Sequence, residues 1–338
     1  MKTTIIAEAG VNHNGSMTFA KLLIDKAAAA GADYVKFQTF KAERLVLKTA
    51  EKAEYQIRNS NSKENQFEML KELEISEENH TYLKEYAENK KIKFLSSAFD
   101  IEGLDYLNSL GIPLVKIPSG EITNLPYLKK VAKIGNPVIL STGMANIPEI
   151  KEALKVIVSE SISLDQVTVL HCNSEYPTPF EDVNLKAMLS IRDEFGVDVG
   201  YSDHTLGIEV PIAAVALGAK VIEKHFTLDR KMDGPDHSSS LEPKELKNMV
   251  FSIRNIEKAI NGTGVKMASS SEEKNKVIVR KSLYSNKALK KNHIISENDF
   301  EGLRPGDGIS PMSINELIGK KLINGIPIYH KLNLKDIK

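Results

Sequence analysis

Tryptophan is absent from this chain of 338 residues, and a single cysteine, Cys172, is present. One thiol cannot close an intrachain disulfide, so a reducing compartment is expected, and any metal site must draw on histidines and carboxylates. Net charge is also lacking, because 45 Lys and Arg balance 45 Asp and Glu. Without a basic excess to neutralise a phosphate backbone, a nucleic-acid partner is excluded, although a small anion is not. No apolar run approaches the roughly 20 residues of a membrane helix. The start MKTTIIAEAG turns polar too early for a signal peptide. A cytoplasmic protein without a membrane partner is expected.

What is present is ordinary globular chemistry, 41% hydrophobic and 27% charged. The length exceeds the roughly 250 to 300 residues at which one core stops growing, so it implies two domains or a large α/β barrel with an appendage. The charge is uneven: residues 280–338 hold 11 Lys or Arg against 6 Asp or Glu, and the preceding chain carries the compensating acidic surplus.

Short β-rich runs alternate with helical periodicity. Strands are expected at Thr4–Ala7, Tyr34–Phe37, Lys93–Leu95, Leu114–Ile117, Pro137–Leu140, Val167–Leu170, Asp198–Tyr201 and Lys220–Ile222. Amphipathic helices separate them, with Ser76 and Asn146 as caps, Pro148 in a first turn, and a final apolar stripe of Leu246, Met249, Val250, Ile253 and Ile256. Eight such units are the arithmetic of a (β/α)8 TIM barrel spanning 1–262. An open doubly wound sheet is the alternative, disfavoured by the lack of a Gly-x-Gly-x-x-Gly turn after the first strand. A polar linker is expected over 263–279, and a small, mostly β domain over 280–338, where short apolar runs are broken by turn residues such as Arg304-Pro305-Gly306-Asp307-Gly308.

In such a barrel the chemistry lies at the C-terminal ends of the strands. Polar residues follow almost every apolar run: Glu8, Lys36 and Gln38, Ser96-Ser97, Lys116 with Ser119 and Glu121, Ser141, His171 to Tyr176, Ser202-Asp203-His204, and Glu223-Lys224-His225. One such serine is ordinarily a turn or helix cap and one such lysine is ordinarily solvated, but eight polar ends around one mouth are hard to attribute to packing. Two lysines and several serine turns suit a phosphate or carboxylate. His204 and His225 end consecutive strands and can reach one divalent metal; structural histidines or a general acid are the alternatives. His171 reads as packing, Cys172 as an inert buried thiol, and Asp236 either as a mouth residue or as an Asx turn.

Glu8-Ala9-Gly10-Val11-Asn12-His13-Asn14-Gly15, Val35-Lys36-Phe37-Gln38, Lys116 to Pro126, Ser141-Thr142-Gly143-Met144, Glu175-Tyr176-Pro177, Ser202-Asp203-His204, Glu223-Lys224-His225-Phe226 and Gly234-Pro235-Asp236-His237 together resemble the bacterial sialic acid synthase family. Arg280-Lys281-Ser282 and Arg304 to Ser310 resemble that family's C-terminal antifreeze-like (SAF) domain. The resemblance implies condensation of phosphoenolpyruvate with N-acetylmannosamine or 2,4-diacetamido-2,4,6-trideoxymannose, giving a nine-carbon 2-keto acid and phosphate. It implies a divalent metal, Mn2+ with Mg2+ or Co2+ as alternatives, and a homodimer in which one SAF domain covers the other subunit's barrel. Carried over by motif, Lys36, Ser97, Lys116, Ser119, Ser141, Ser174, Ser202 and His204 match phosphoenolpyruvate contacts, and His204 and His225 match metal ligands. Gln38, Asn61, Glu121, Tyr176 and Asp236 match sugar contacts, with Arg304 of the partner subunit. Arg280 keeps the positive charge where some relatives carry lysine, and either Asn173 or Ser174 occupies a substrate contact. Glu8-Ala9-Gly10 and Ser240-Leu241-Glu242-Pro243 resemble the diacetyllegionaminate type more than the N-acetylneuraminate type.

Such a reaction needs C3 of phosphoenolpyruvate to attack the sugar aldehyde, polarised by the metal, while the lysines hold the anion. Glu8, Glu121 and Asp236 are the candidates for moving protons, with His204 beside them. Two rival readings stand: a Schiff-base aldolase using Lys116 or Lys224, and a carbohydrate-binding protein on an inactive barrel.

Overall fold

Each of the eight expected strands is present, and most run on through the polar residues that follow the apolar stretch. The structure is a computed structural model and describes residues 2–59, 64–158 and 161–338. β1 (Thr4–Gly10), β2 (Tyr34–Thr39), β3 (Lys93–Ala98), β4 (Val115–Ile117), β5 (Val138–Ser141), β6 (Val167–Cys172), β7 (Asp198–Asp203) and β8 (Val221–His225) pair in parallel and in chain order. β8 returns to β1, setting Thr4 beside Val221 and Glu8 beside His225, which closes the barrel. The extra residues at the strand ends belong to the ladder because backbone pairing is indifferent to side-chain polarity.

Helix α1 (Met17–Ala30) follows β1. Three short helices, α2 (Ala42–Leu45), α3 (Glu54–Asn59) and α4 (Gln66–Glu72), are inserted between β2 and α5 (Glu77–Asn89). The circuit continues with α6 (Ile101–Ser109), α7 (Leu125–Ile134), α8 (Ile147–Ile157), α9 (Lys186–Phe195), α10 (Glu209–Ala216) and α11 (Pro243–Ile260). Local chemistry sets the ends. Ser16 accepts from Phe19 N at the start of α1, and Gly31 ends that helix at φ 83°, where a side chain would be strained. Asn146 and Glu149 cap α8 reciprocally, with Pro148 in the first turn. Ile5, Val35, Leu95, Leu140, Val169 and Ile222 are fully buried in the barrel core, each worth about 1.5–3 kcal/mol of burial.

The chain divides into two compact units, Met1–Asn261 and Gly262–Lys338. The second contains α12 (Ser270–Val279), a helix inside the stretch expected as linker, where Ser269 and Glu272 make a capping box. Its sheet is the antiparallel pair β9 (Ser282–Ser285) and β10 (Phe300–Leu303), extended by isolated bridges such as Leu289 with Ile326. Leu283, Ile295, Leu322 and Leu332 are among its buried core residues. Among the described residues no helix is long and apolar enough to cross a membrane.

Candidate active site

Strand register brings the polar ends together. Glu8 lies beside Lys36, Ser97 beside Lys116, and Ser202 beside Glu223. They line a cavity of about 510 Å3 together with Ser119, Ser141, Ser174, Tyr176, His204 and His225. At its floor four charged side chains meet, all nearly inaccessible to solvent. Lys36 Nζ is 3.0 Å from Glu8 Oε1, 3.6 Å from Glu223 Oε2 and 3.0 Å from Ser97 Oγ. Lys116 Nζ donates to Ser141 Oγ at 2.8 Å and is 3.5 Å from Glu223 Oε1, which also accepts from Ser202 Oγ at 3.2 Å.

Burial alone would raise the pKa of Glu223, but Lys116 and Lys36 outweigh it and hold the group ionised. Burial pushes Glu8 up to about 7 against the pull of Lys36, and Oε2 of Glu8 has no hydrogen-bond partner among the described residues. Lys36 stays firmly charged because Glu223 and Glu8 overcome its desolvation, whereas burial wins at Lys116 and lowers its pKa. A carboxyl poised near 7 can take up a proton and return it, and when it takes one up two ammonium groups face one carboxylate, so the well gains positive charge for a small polyanion.

Above the floor is an aromatic stack. Tyr55 of α3 lies 4.8 Å from Tyr176, Tyr176 lies 4.0 Å from His204, and His204 lies 5.4 Å from His225, all between ring centroids. His204 Nδ1 donates to the Asn173 carbonyl at 2.5 Å, which leaves the Nε2 lone pair free. Burial drives His204 down to about 4 and His225 well below its ordinary value, so both rings are neutral, and the buried His225 Nδ1 has no hydrogen-bond partner among the described residues. Two neutral imidazoles with unused lone pairs fit a divalent ion as two of its ligands. Among the described residues no group of three or more His, Cys, Asp or Glu could hold one, so water or substrate oxygens would fill the other positions.

The remaining expected residues fall in different places. Gln38 lies on the wall of the well, with Nε2 3.4 Å from Glu8 Oε1. Ser119 accepts from Gly143 N at 2.9 Å, and a Cβ at Gly143 would collide with Ser119 and Ser174. Ser174 lines the cavity, whereas the Asn173 side chain is occupied by Glu175 N and Thr178. Glu121, bound by Asn124 Nδ2 at 2.6 Å, and Asp236, 3.9 Å from His225 Nδ1, line an adjoining space rather than the lysine well. Burial raises both carboxyls, Asp236 to about 6. Arg280 and Arg304 belong to the second unit, and Asn61 lies outside the described residues. His171 is bound to the Val183 carbonyl at 2.8 Å, and burial pushes the Cys172 thiol up to about 11, as their structural readings required.

One expectation is corrected. Lys224 is not a nucleophile in the mouth: its side chain is fully buried against Asp203 Oδ2 and the Thr205 carbonyl, both at 2.5 Å. Along a strand, neighbours point to opposite faces, so Glu223 and His225 enter the barrel while Lys224 leaves it. The same alternation is the sequence signal for Glu223, which stands among the polar strand ends but matches none of the expected substrate or metal contacts. Tyr55 had none, since it sits in the insertion.

A sequence model of the NeuB family matches residues 23–266. The N,N'-diacetyllegionaminic acid synthase of Campylobacter jejuni subsp. jejuni serotype O:2 is 55% identical, over 94% of this chain and 95% of that protein. The chain belongs to the NeuB family. A synthase of the same name from Legionella pneumophila is 50% identical over 95% of this chain and 91% of its own length. The crystal structure of N-acetylneuraminic acid (sialic acid) synthetase from Leptospira borgpetersenii superposes with a TM-score of 0.71 at 36% identity, covering 81% of this chain and 90% of that one. In this chain the lysine well and the paired histidines line one continuous mouth at the C-terminal end of the barrel.

Proposed function

We propose that this chain is a nonulosonic acid synthase that joins phosphoenolpyruvate to 2,4-diacetamido-2,4,6-trideoxymannose, releasing phosphate and N,N'-diacetyllegionaminic acid. The observation that carries the reaction class is the buried Lys36–Glu223–Lys116 arrangement directly below two neutral histidines. The choice of sugar is supported by 55% and 50% identity to proteins named for that product, against 36% to the sialic acid synthetase.

Lys36 and Lys116, with Ser97 and Ser141 on their ammonium groups, bind the phosphate and carboxylate of phosphoenolpyruvate and orient C3 toward the histidines. His204 and His225 would hold the divalent ion, Mn2+ with Mg2+ and Co2+ as alternatives, whose chemistry is Lewis-acid polarisation of the aldehyde oxygen. C3 attacks the aldehyde carbon, water adds at C2, and phosphate leaves the tetrahedral adduct. Glu223 offsets the positive character that develops at C2. The unpartnered Oε2 of Glu8 takes the proton that water loses. The Tyr55–Tyr176 stack covers the histidines and excludes bulk water. The lone buried thiol suits a reducing cytoplasm.

Phosphate release from phosphoenolpyruvate, Mn2+ and each sugar in parallel tests this reading. A higher kcat/KM for the diacetamido sugar is expected, and no release with any acetamido sugar overturns it. The aldolase alternative rests on Lys116 alone, whose lowered pKa suits it; borohydride trapping with pyruvate would support that alternative. Arg304 is exposed on the second unit, and we read it as a sugar contact supplied across a homodimer. Arg304→Ala should then raise the sugar KM by about tenfold or more, the worth of a charged hydrogen bond, with the phosphoenolpyruvate KM unmoved.

A further inference from the structure

The space beside the lysine well differs from it in chemistry. It holds about 420 Å3 and shares Gln38, Tyr55, Phe99, Gly120, Tyr176 and His225 with the well, so the two adjoin along that wall. Among the described residues its far wall is mostly apolar, with Leu45, Val46, Met69, Leu70 and Leu73, and Val11 beyond β1, while Gln56 and Gln66 are the polar side chains that the insertion adds to the lining. Apart from Val11 these residues come from the α2–α4 insertion and the turn after it, not from a barrel strand. Met69 and Leu73 are buried in a small cluster with Val11 and Phe40, and Leu45 and Leu70 pack on it half-buried. Among the described residues Asp236 and Glu121 are the carboxylates of the lining.

The acceptor's aldehyde carbon must meet C3 of phosphoenolpyruvate beside His204 and His225. Its carbon chain therefore starts at the shared wall, and its far end enters the adjoining space. In 2,4-diacetamido-2,4,6-trideoxymannose that end carries an acetamido methyl on C4 and a methyl at C6. In N-acetylmannosamine both positions carry hydroxyls. Methyl groups against Leu45 and Leu70 gain burial, whereas hydroxyls pressed on those two side chains give up water for an apolar contact.

We propose that the α2–α4 insertion forms an apolar subsite for the C4–C6 end of the acceptor, and that this wall sets the preference for a diacetamido-trideoxy sugar over N-acetylmannosamine. The proposal rests on the synthase reading above. It assigns sugar choice to Leu45 and Leu70, and anion binding to the lysine well. In the wild-type chain, 6-deoxy-N-acetylmannosamine should be turned over with a kcat/KM about tenfold above N-acetylmannosamine, the discrimination that one group in an apolar pocket affords.

Leu70→Gln and, separately, Leu45→Gln should lower kcat/KM for the diacetamido sugar by about tenfold or more while leaving N-acetylmannosamine within about threefold or improving it. The phosphoenolpyruvate KM should stay at its wild-type value in both. An equal loss for both sugars would show a merely structural wall and overturn the subsite. Equal kcat/KM for the 6-deoxy and 6-hydroxy sugars in the wild type would overturn it even if neither variant folds. Failure of the wild type to release phosphate with every acetamido sugar is a separate outcome, which removes the synthase reading and the subsite with it.

Discussion

Replacing Glu223 with glutamine removes the single carboxylate that faces both buried lysines, at 3.6 Å from Lys36 and 3.5 Å from Lys116. At an effective dielectric of about 20 each contact is worth roughly 4–5 kcal/mol of attraction. Part of this is offset by relief from desolvating the carboxylate, and breaking one side of a buried ion pair has a net cost of about 3–5 kcal/mol. Taking about 3 kcal/mol, a barrel of this size should melt about 6–12 °C lower.

The deficit should depend on pH. Burial already holds Lys116 below its ordinary value, and Glu223 is the main group raising it. Without Glu223 that pKa falls further, because Lys36 repels the ammonium and Cys172, pushed up to about 11, remains a neutral thiol. A lysine with a depressed folded pKa binds fewer protons folded than unfolded, so stability rises with pH across the interval between the two values. The variant's deficit should therefore shrink as pH rises toward the ordinary lysine pKa of about 10.4. Phosphoenolpyruvate restores the missing negative charge, so saturating ligand should raise the melting temperature of Glu223→Gln more than that of the wild type. Thermal unfolding followed by circular dichroism, in chelator-treated buffer with and without phosphoenolpyruvate, reads all three effects. A melting temperature within about 1 °C of wild type, against the several degrees expected, or a deficit that widens with pH, would refute the reasoning.

His225→Ala should retain the wild-type circular dichroism spectrum and lose metal-dependent phosphate release; full activity would remove the metal assignment. Glu8→Gln keeps the shape but not the proton acceptor, so kcat should fall by about 10²–10⁴-fold, the usual worth of a general base, with the phosphoenolpyruvate KM changed far less; an unchanged kcat would take Glu8 out of the chemistry. Lys224→Met strands Asp203 on the outer face of the barrel and should cost about 3–5 kcal/mol in denaturant titrations. Its kcat/KM at low temperature should stay near wild type, and a silent, stable variant would contradict the buried pair.

Much of this was legible along the chain. The strands begin within about one residue of their expected starts because both faces of a parallel barrel strand are buried and its apolar run is continuous. The strands run past the expected ends at Ala7, Leu95 and Ile222, because the polar residues there resemble loops in composition although their backbone stays in the ladder. Lys116 and Lys224 looked alike in sequence, each a lysine at a strand end. They differ because Lys116 shares the inner face with Glu223, whereas Lys224 points outward to Asp203. The stretch 263–279 looked like linker from its serine and lysine content, yet Ser269 and Glu272 cap a helix there.

By itself the sequence determined the number of strands, their parallel order, the polar rim at their C-terminal ends and the family, because these follow from local periodicity and from the identity of residues within short motifs. Only the tertiary structure decided which charges share the well and that Glu223 lies between the lysines. It also set Tyr55 over Tyr176 and His204, and Leu45 and Leu70 on the wall of the second space. Those relations depend on barrel closure and on the path of the insertion, which join residues far apart in the chain and leave no local period to read.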